Sequence, residues 1–300
     1  MKILVLGVSG MLGHQLFLQG MSRPQHQLMG TLRSKACPAA LAAHSGRLVC
    51  GFEANNPTDV EKVMSAFRPD VVMNAVGLIR QSAECEDPVS AIRTNSLLPH
   101  MLRQKCDEHG ARLIHISTDC VFSGMKGSYT ESDNPDPSDL YGRSKLLGES
   151  ENAKHITIRS SLIGHELERR SGLLEWFLNS AGPFKGFSKA FFSGFTTLEF
   201  ARILFEHVIP HPKIGGIIHV ASDRISKYAL LKLIGEIYRK KAAVAEDSSV
   251  LCDRTLNGSR FVRLTGYAAP SWTTMITEMR EDYLMTMHAN KGGLNERIER

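Results

Sequence analysis

Apolar residues in the first half of the chain come in short unbroken runs, and longer stretches with helical spacing separate them. The runs fall at residues 3–6, 27–32, 47–52, 70–76, 112–118 and 155–160. Several are apolar almost throughout, the pattern of strands covered on both faces. Between them, residues 12–20, 36–44, 57–67, 88–109 and 140–152 read as helices. Pro57 and Pro88 stand where the first turn of a helix accepts proline. This alternation predicts an α/β protein with a doubly wound parallel sheet and right-handed crossovers.

The rhythm breaks after Ser161. Residues 164–172 are polar and charged, 173–179 apolar and aromatic, and 183–195 form a loop rich in glycine and phenylalanine. Helices are expected again at 196–208, 226–239 and 272–285, with a strand at 216–221. No internal repeat or low-complexity segment interrupts the chain.

Composition narrows the class. The 300 residues are 42% hydrophobic and 22% charged, as in an ordinary globular protein. There is no apolar run of membrane-spanning length and no signal-peptide pattern, so a cytoplasmic location is expected. The net charge of +5 is spread along the chain, which suits anionic small molecules better than nucleic acid or a membrane. The six cysteines, at 37, 50, 85, 106, 120 and 252, make no Cys-x-x-Cys pair and read as reduced thiols. The histidines lack zinc-ligand spacing, and no metal site is expected.

Candidate chemistry begins at residue 7. Gly7, Gly10 and Gly13 follow the first strand directly and open the first helix. Such a turn lets backbone approach a pyrophosphate and points helix amides at it, the logic of a Rossmann-type dinucleotide site. Cofactor contacts are expected from Gly7, Ser9, Gly10, Met11, Leu12 and Gly13. The second strand ends at Arg33, Ser34 and Lys35, where an NAD site would carry an acid. Two cations and a hydroxyl suit a 2′-phosphate, so NADPH is expected, with NADH as the alternative. Asn74, Ala75 and Val76 end the fourth strand and would let a flat cofactor pass. Ser117 and Thr118 end the fifth.

Tyr141 and Lys145 are four residues apart, which places a phenol and an ammonium on one helix face. An ammonium beside a phenol lowers the phenol pKa and fits it for proton transfer. The domain reading is a nucleotide-binding part at 1–162, joined by 196–221. A smaller C-terminal substrate-binding region comprises 163–195 and 222–288, and a polar tail follows at 289–300. Lys185, Arg254 and Arg260 are candidate diphosphate partners, and Trp176 reads as core.

These segments occur in a familiar order. Gly7-x-x-Gly10-x-x-Gly13, Asn74-Ala75-Val76-Gly77, the run HISTDCVFSG and the run YGRSKLLGE resemble an extended short-chain dehydrogenase/reductase. Within it the chain is most similar to the dTDP-4-dehydrorhamnose reductase family, strongly to about residue 161. Beyond that point SGFTTLEFARIL and DRTLNGSRF carry a weaker likeness. The resemblance implies a catalytic set of Thr118, Tyr141 and Lys145 and reduction of the 4-keto group of a nucleotide-linked 6-deoxysugar. Tyr141 would give the proton, Lys145 would tune it and hold the nicotinamide ribose, and Thr118 would orient the carbonyl. Substrate contacts would come from Thr118, Asp119, Cys120, Leu162, Lys185 and Arg254. The chain departs from the family at Cys120 and Leu162, where aromatic residues are usual. Smaller groups there point toward a UDP-linked amino-deoxysugar with a bulkier 2-substituent. A nucleotide-sugar epimerase or dehydratase and a non-catalytic nucleotide-binding subunit are the rival readings. A homodimer is compatible with the family.

Overall fold

The computed structural model describes residues 1–80, 83–168 and 171–298. Arg169 and Arg170 of the 164–172 segment, and residues 299–300 of the tail, lie outside the described residues.

Seven parallel strands form the central sheet: Lys2–Leu6 (β1), Gln27–Thr31 (β2), Leu48–Val49 (β3), Val71–Asn74 (β4), Arg112–Ile116 (β5), Ile156–Arg159 (β6) and Gly216–His219 (β7). Their order is β7-β6-β5-β4-β1-β2-β3, so the winding reverses between β1 and β4. Ligands of such sheets sit at the strand carboxyl ends beside that reversal. Alternation within strands sorts their side chains to two faces. Ile3 and Val5 join one apolar cluster, while Leu4 and Leu6 join the other. In β4, Val71 and Met73 go one way and Val72 the other.

The helices flanking the sheet begin with Gly13–Met21 (α1) and Pro57–Phe67 (α2). Asn56 caps α2 by accepting from Thr58 N at 3.0 Å. The expected 88–109 helix is present as one run (α3) in three pieces, Pro88–Ala91, Ile92–Leu97 and Leu98–Glu108. The middle piece is a π-turn. The next helix, Leu140–Leu147 (α4), is shorter than the expected 140–152. A Cβ on Gly148 would lie 2.0 Å from the Asn95 carbonyl oxygen, so only glycine lets the end of the helix pack this closely on α3. Two other expectations are corrected. The 47–52 strand shrinks to Leu48–Val49 because the chain turns at Gly51, whose φ is +70°. Residues 36–44 are not an α-helix; a kinked 3-10 segment spans Ala39–Arg47.

The C-terminal region adds Leu173–Asn179 (α5), Thr197–Ile203 (α6), Lys227–Ile237 (α7), Ser259–Thr265 (α8) and Trp272–Ile298 (α9). The last helix runs past the expected 285 into the segment read as tail. Its first turns bury Trp272, Met275, Ile276 and Met279, an i, i+3, i+4, i+7 stripe. Short strands tie the two C-terminal segments together: Phe184–Phe187 pairs with Val244–Asp247, and Ala190–Phe192 with both Ile225–Ser226 and Cys252–Asp253. The apolar cluster that starts at Ile3 continues through Phe177 and Leu230 to Met279. Trp176, read as core, is instead 41% exposed, and Phe177 fills the interior.

The seam between β1 and α1 gives a test. A Cβ on Gly13 would lie 2.0 Å from the Gly7 carbonyl oxygen. Helix propensity alone favours Gly13→Ala by about 1 kcal/mol. Overpacking costs about 1–3 kcal/mol, and a displaced helix pushes toward the upper end. We expect net destabilisation in urea unfolding, whereas Gly46→Ala, with open space around its Cβ, stays within about 0.5 kcal/mol of the parent.

Candidate active site

The glycine turn closes tightly on the end of β4. Gly7 has φ +82°, and a Cβ there would stand 3.0 Å from Val76 Cγ2 and 3.3 Å from the Ala75 carbonyl carbon. Gly10 N donates to Gly7 O at 3.0 Å, and Val8 N donates to Thr31 O at 3.0 Å. The helix behind the turn starts with no side-chain cap, which leaves its amino end available to an anion. Ser9, Gly10 and Met11 are half-buried on this turn, and Leu12 is buried. This cradle, which a side chain at Gly7 would fill, fits a dinucleotide phosphate. Arg33 and Ser34 stand exposed at the end of β2; the guanidinium is 3.7 Å from Glu84 Oε1.

Asn74 is buried and fixes the next corner. Its Oδ1 accepts from Val76 N at 3.1 Å, and its Nδ2 lies 3.2 Å from His115 Nδ1. Beyond Val76, a Cβ on Gly77 would be 4.0 Å from Lys145 Nζ. The contacts therefore run from Gly7 through Val76 and Gly77 to the lysine, along one crevice.

Helix α4 is set against the end of β5. Asp139 Oδ1 accepts from Gly142 N at 2.8 Å and caps the helix. A Cβ on Gly142 would lie 2.2 Å from the Cys120 carbonyl oxygen, so only glycine lets the first turn of α4 press onto the Asp119–Val121 turn. That contact brings Tyr141 beside Thr118 and Cys120. Lys145 is 5% exposed and donates to Ile116 O at 2.7 Å. Thr118 Oγ1 donates to Asp119 Oδ1 at 3.2 Å and accepts from Cys120 N at 3.1 Å.

Charge in this pocket follows burial. The Lys145 pKa falls to about 8, because desolvation outweighs the opposing pull of Glu149. The Tyr141 phenol is pushed well above its ordinary value by burial first, then by Cys120, Asp119 and Cys85; only the Thr118 hydroxyl favours the phenolate. This corrects the expectation from spacing: burial raises the phenol, and it stays protonated at neutral pH. Burial likewise pushes the Cys120 thiol up to about 12.

Sequence reasoning missed Asn95 and Lys227. Asn95 sits in the π-turn of α3, accepts from Leu78 N at 2.9 Å, and donates to Leu78 O at 3.2 Å and Ser144 Oγ at 3.1 Å. It staples the loop after β4 to α4. The polar triplet Thr94-Asn95-Ser96, buried inside a helix, was its available signal. The Lys227 ammonium stands 4.9 Å from the Phe192 ring centre. Burial lowers its pKa, while Asp119, Cys120 and Cys252 pull the other way. Nothing in the local sequence marks it.

The expected substrate residues divide. Arg254 reaches the group: its Nε donates to Phe122 O at 2.8 Å, and Nη1 lies 3.8 Å from Cys120 Sγ. Leu162 is half-buried in a separate two-residue pairing with Phe195. Lys185 is 74% exposed and pairs with Asp247 at 3.6 Å, with no contact to the Thr118–Tyr141 group. Arg260 donates to Ile217 O at 3.0 Å and lines a surface hollow with Asn152 and Gly215, at the amino ends of β6 and β7.

Comparison with known proteins places the chain in a family. The family model described as "RmlD substrate binding domain" matches residues 1–180. The dTDP-4-dehydrorhamnose reductase of Salmonella typhimurium is 31% identical over 168 residues, 54% of this chain and 52% of that protein. The match thus spans about half the length of that curated relative. A structure described as a hypothetical dTDP-4-dehydrorhamnose reductase from Sulfolobus tokodaii superposes with TM-score 0.75 at 25% identity, covering 91% of this chain and 98% of the other. The Bacillus anthracis dTDP-4-dehydrorhamnose reductase in complex with NADP shares the fold, with TM-score 0.76 at 19% identity over 94% of this chain and 98% of that one. With the family model matching residues 1–180, more than half of the chain and including Thr118, Tyr141 and Lys145, the chain belongs to the RmlD substrate binding domain family.

Proposed function

We propose that this protein reduces the 4-keto group of a nucleotide-linked 6-deoxysugar, dTDP- or UDP-linked, with NADPH as reductant. The observation that carries this reading is the unbroken line from the Gly7 cradle through Val76 and Gly77 to Lys145, which supports one crevice for cofactor and acid. The family membership and the reductases among its relatives support it further. With its phosphates held in the cradle, the cofactor would supply the hydride. Gly7, Gly10 and the α1 amino end would hold the diphosphate. Arg33 and Ser34 would meet the 2′-phosphate.

The chain's own residues handle the proton. Tyr141 is neutral at working pH and gives its proton to the C4 oxygen as negative charge develops there. Thr118 turns its hydroxyl from Asp119 to donate to the same oxygen. Lys145 places an ammonium beside the phenolate that remains and offsets its charge. Atoms balance as keto sugar, NADPH and one proton giving alcohol and NADP+. Arg254 and Lys227 put positive charge on the sugar side of Cys120. Among the described residues no helix is long and apolar enough to cross a membrane. A cytoplasmic location and a homodimer belong to the same proposal.

Three outcomes are expected. Tyr141→Phe lowers kcat by about 10²–10⁴ while fluorescence titration shows NADPH affinity within about twofold of the parent; unchanged turnover would remove the phenol as acid. Assays with UDP- and dTDP-linked 4-keto-6-deoxysugars show faster turnover of a UDP-linked 2-amino-substituted sugar, because Cys120 replaces a larger ring; preference for the dTDP-rhamnose precursor rejects the UDP assignment.

The third outcome concerns Lys145 itself. Its folded pKa of about 8 lies below the free value of 10.5, so burying the ammonium costs stability below pH 8. That cost, about 3 kcal/mol, disappears as pH rises from about 8 to 10.5. Lys145→Met loses a hydrogen bond worth about 1 kcal/mol but avoids the penalty. It is therefore more stable than the parent in urea at pH 7, and its advantage vanishes by pH 10.5. A gap that widens with pH contradicts the sign.

A further inference from the structure

Behind the crevice lies a buried ion pair that the reaction does not touch. Glu149 and Arg159 have side chains 2% and 3% exposed and meet at 2.6 Å. Arg159 Nε and Nη2 both donate to Glu149, the paired geometry of a guanidinium on a carboxylate. Glu149 Oε1 also accepts from Ser117 Oγ at 2.6 Å. His219 Nδ1 lies 3.0 Å from Tyr129 O, and its Nε2 lies 3.2 Å from Arg159 Nη1. That pattern makes His219 the Nδ1–H tautomer, neutral, and a hydrogen-bond acceptor for Arg159.

Ser117 directly precedes Thr118, and Glu149 follows α4 by two residues. The carboxylate thus joins the strand end that carries the threonine to the helix that carries the tyrosine and lysine. Lys145 and Glu149 are four residues apart, one turn along the chain. We propose that Glu149, held by Arg159, is the positioning residue of this site: through Ser117 it fixes the strand end that carries Thr118 against the helix that carries Tyr141 and Lys145.

Other charged or titratable groups surround the pair. His219 meets Arg159 from β7, Glu131 Oε1 accepts from His219 N at 3.0 Å, and His115 on β5 lies within electrostatic reach of Lys145. Burial pulls His219 down to about 4 and His115 well below its ordinary value, so both are neutral at working pH. Glu149 is the group that raises the Lys145 pKa against desolvation.

The proposal rests on the reductase reading only where it predicts rates; the charge on Lys145 is measured without substrate. In lysine-labelled apoprotein followed by NMR, with Lys145→Arg to assign the signal, Glu149→Gln lowers the Lys145 pKa by about one unit. The alkaline limb of kcat/KM moves the same way, and kcat falls about tenfold. Because Glu149→Gln leaves Arg159 buried without its counter-charge, the double variant Glu149→Met with Arg159→Met is the second arm. It folds and shows the same fall in Lys145 pKa. Ser117→Ala lowers kcat several-fold and leaves the Lys145 pKa unchanged. A Lys145 pKa within about 0.3 unit of the parent in either folded Glu149 variant overturns the proposal. An unfolded double variant makes the pair a stability element and overturns it equally. If Lys145 shifts but the parent reduces no keto sugar, the positioning stands and the reductase reading falls.

Discussion

The approach of α4 to the end of β5 governs everything around the crevice. Two contacts define it: Gly142 against the Cys120 carbonyl, and Lys145 Nζ on Ile116 O at 2.7 Å. The first needs the absence of a side chain and the second needs a buried ammonium. Together they hold a helix and a strand, far apart in sequence, at a separation that leaves Tyr141 beside Thr118. Asn95 and Gly148 set the other side of the same helix against α3. A displacement of α4 would misalign the phenol, the ammonium and the threonine at once, because all three are referenced to one pair of backbone atoms.

Much of this was legible in the sequence, for identifiable reasons. The strands of the sheet were visible because burial on both faces removes polar residues, and β1, β4 and β5 are buried along their whole length apart from Lys2. The glycine turn was visible because its steric demands leave no substitute at Gly7 and Gly13. Boundaries set by tertiary contact were not visible. Helix α4 ends at Leu147, where Gly148 packs on the carbonyl of Asn95, about fifty residues earlier in the chain, a contact that no local pattern marks. The extent of β3 was lost to a local turn at Gly51. Lys227 was hidden for another reason: a lone lysine in a helical pattern reads as a solvated charge, and only the folded chain lays it over Phe192.

The Tyr141–Lys145 spacing was legible, but its consequence was not. Spacing alone argues that an ammonium depresses a nearby phenol. In the folded crevice desolvation acts on both groups and drives each toward neutrality, the phenol upward and the amine down to about 8. The two effects suit an acid in a reduction. A raised phenol keeps its proton until an acceptor arrives, and an amine near 8 is still largely charged at neutral pH. The pair is thus poised by burial and held by backbone geometry.

Buried charge elsewhere in the fold follows the same rule, and this bears on the sugar side of the crevice. Glu149 and Arg159 satisfy each other almost completely, and Ser117 and His219 take the remaining capacity. Arg254 makes no ion pair among the described residues: its Nε bonds the Phe122 carbonyl, and its Nη1 lies 3.8 Å from the Cys120 thiol. A thiol whose pKa lies near 12 offers a guanidinium no countercharge. Asp119 and Asp139 both lie within electrostatic reach of Arg254, and Asp119 already accepts the Thr118 hydroxyl. Lys227 is pulled by the same Asp119. Glu149 and Arg159 meet in direct paired bonds, whereas Arg254 and Lys227 feel their acids across a distance. The contrast separates charge fixed by contact from charge balanced only through the surrounding field.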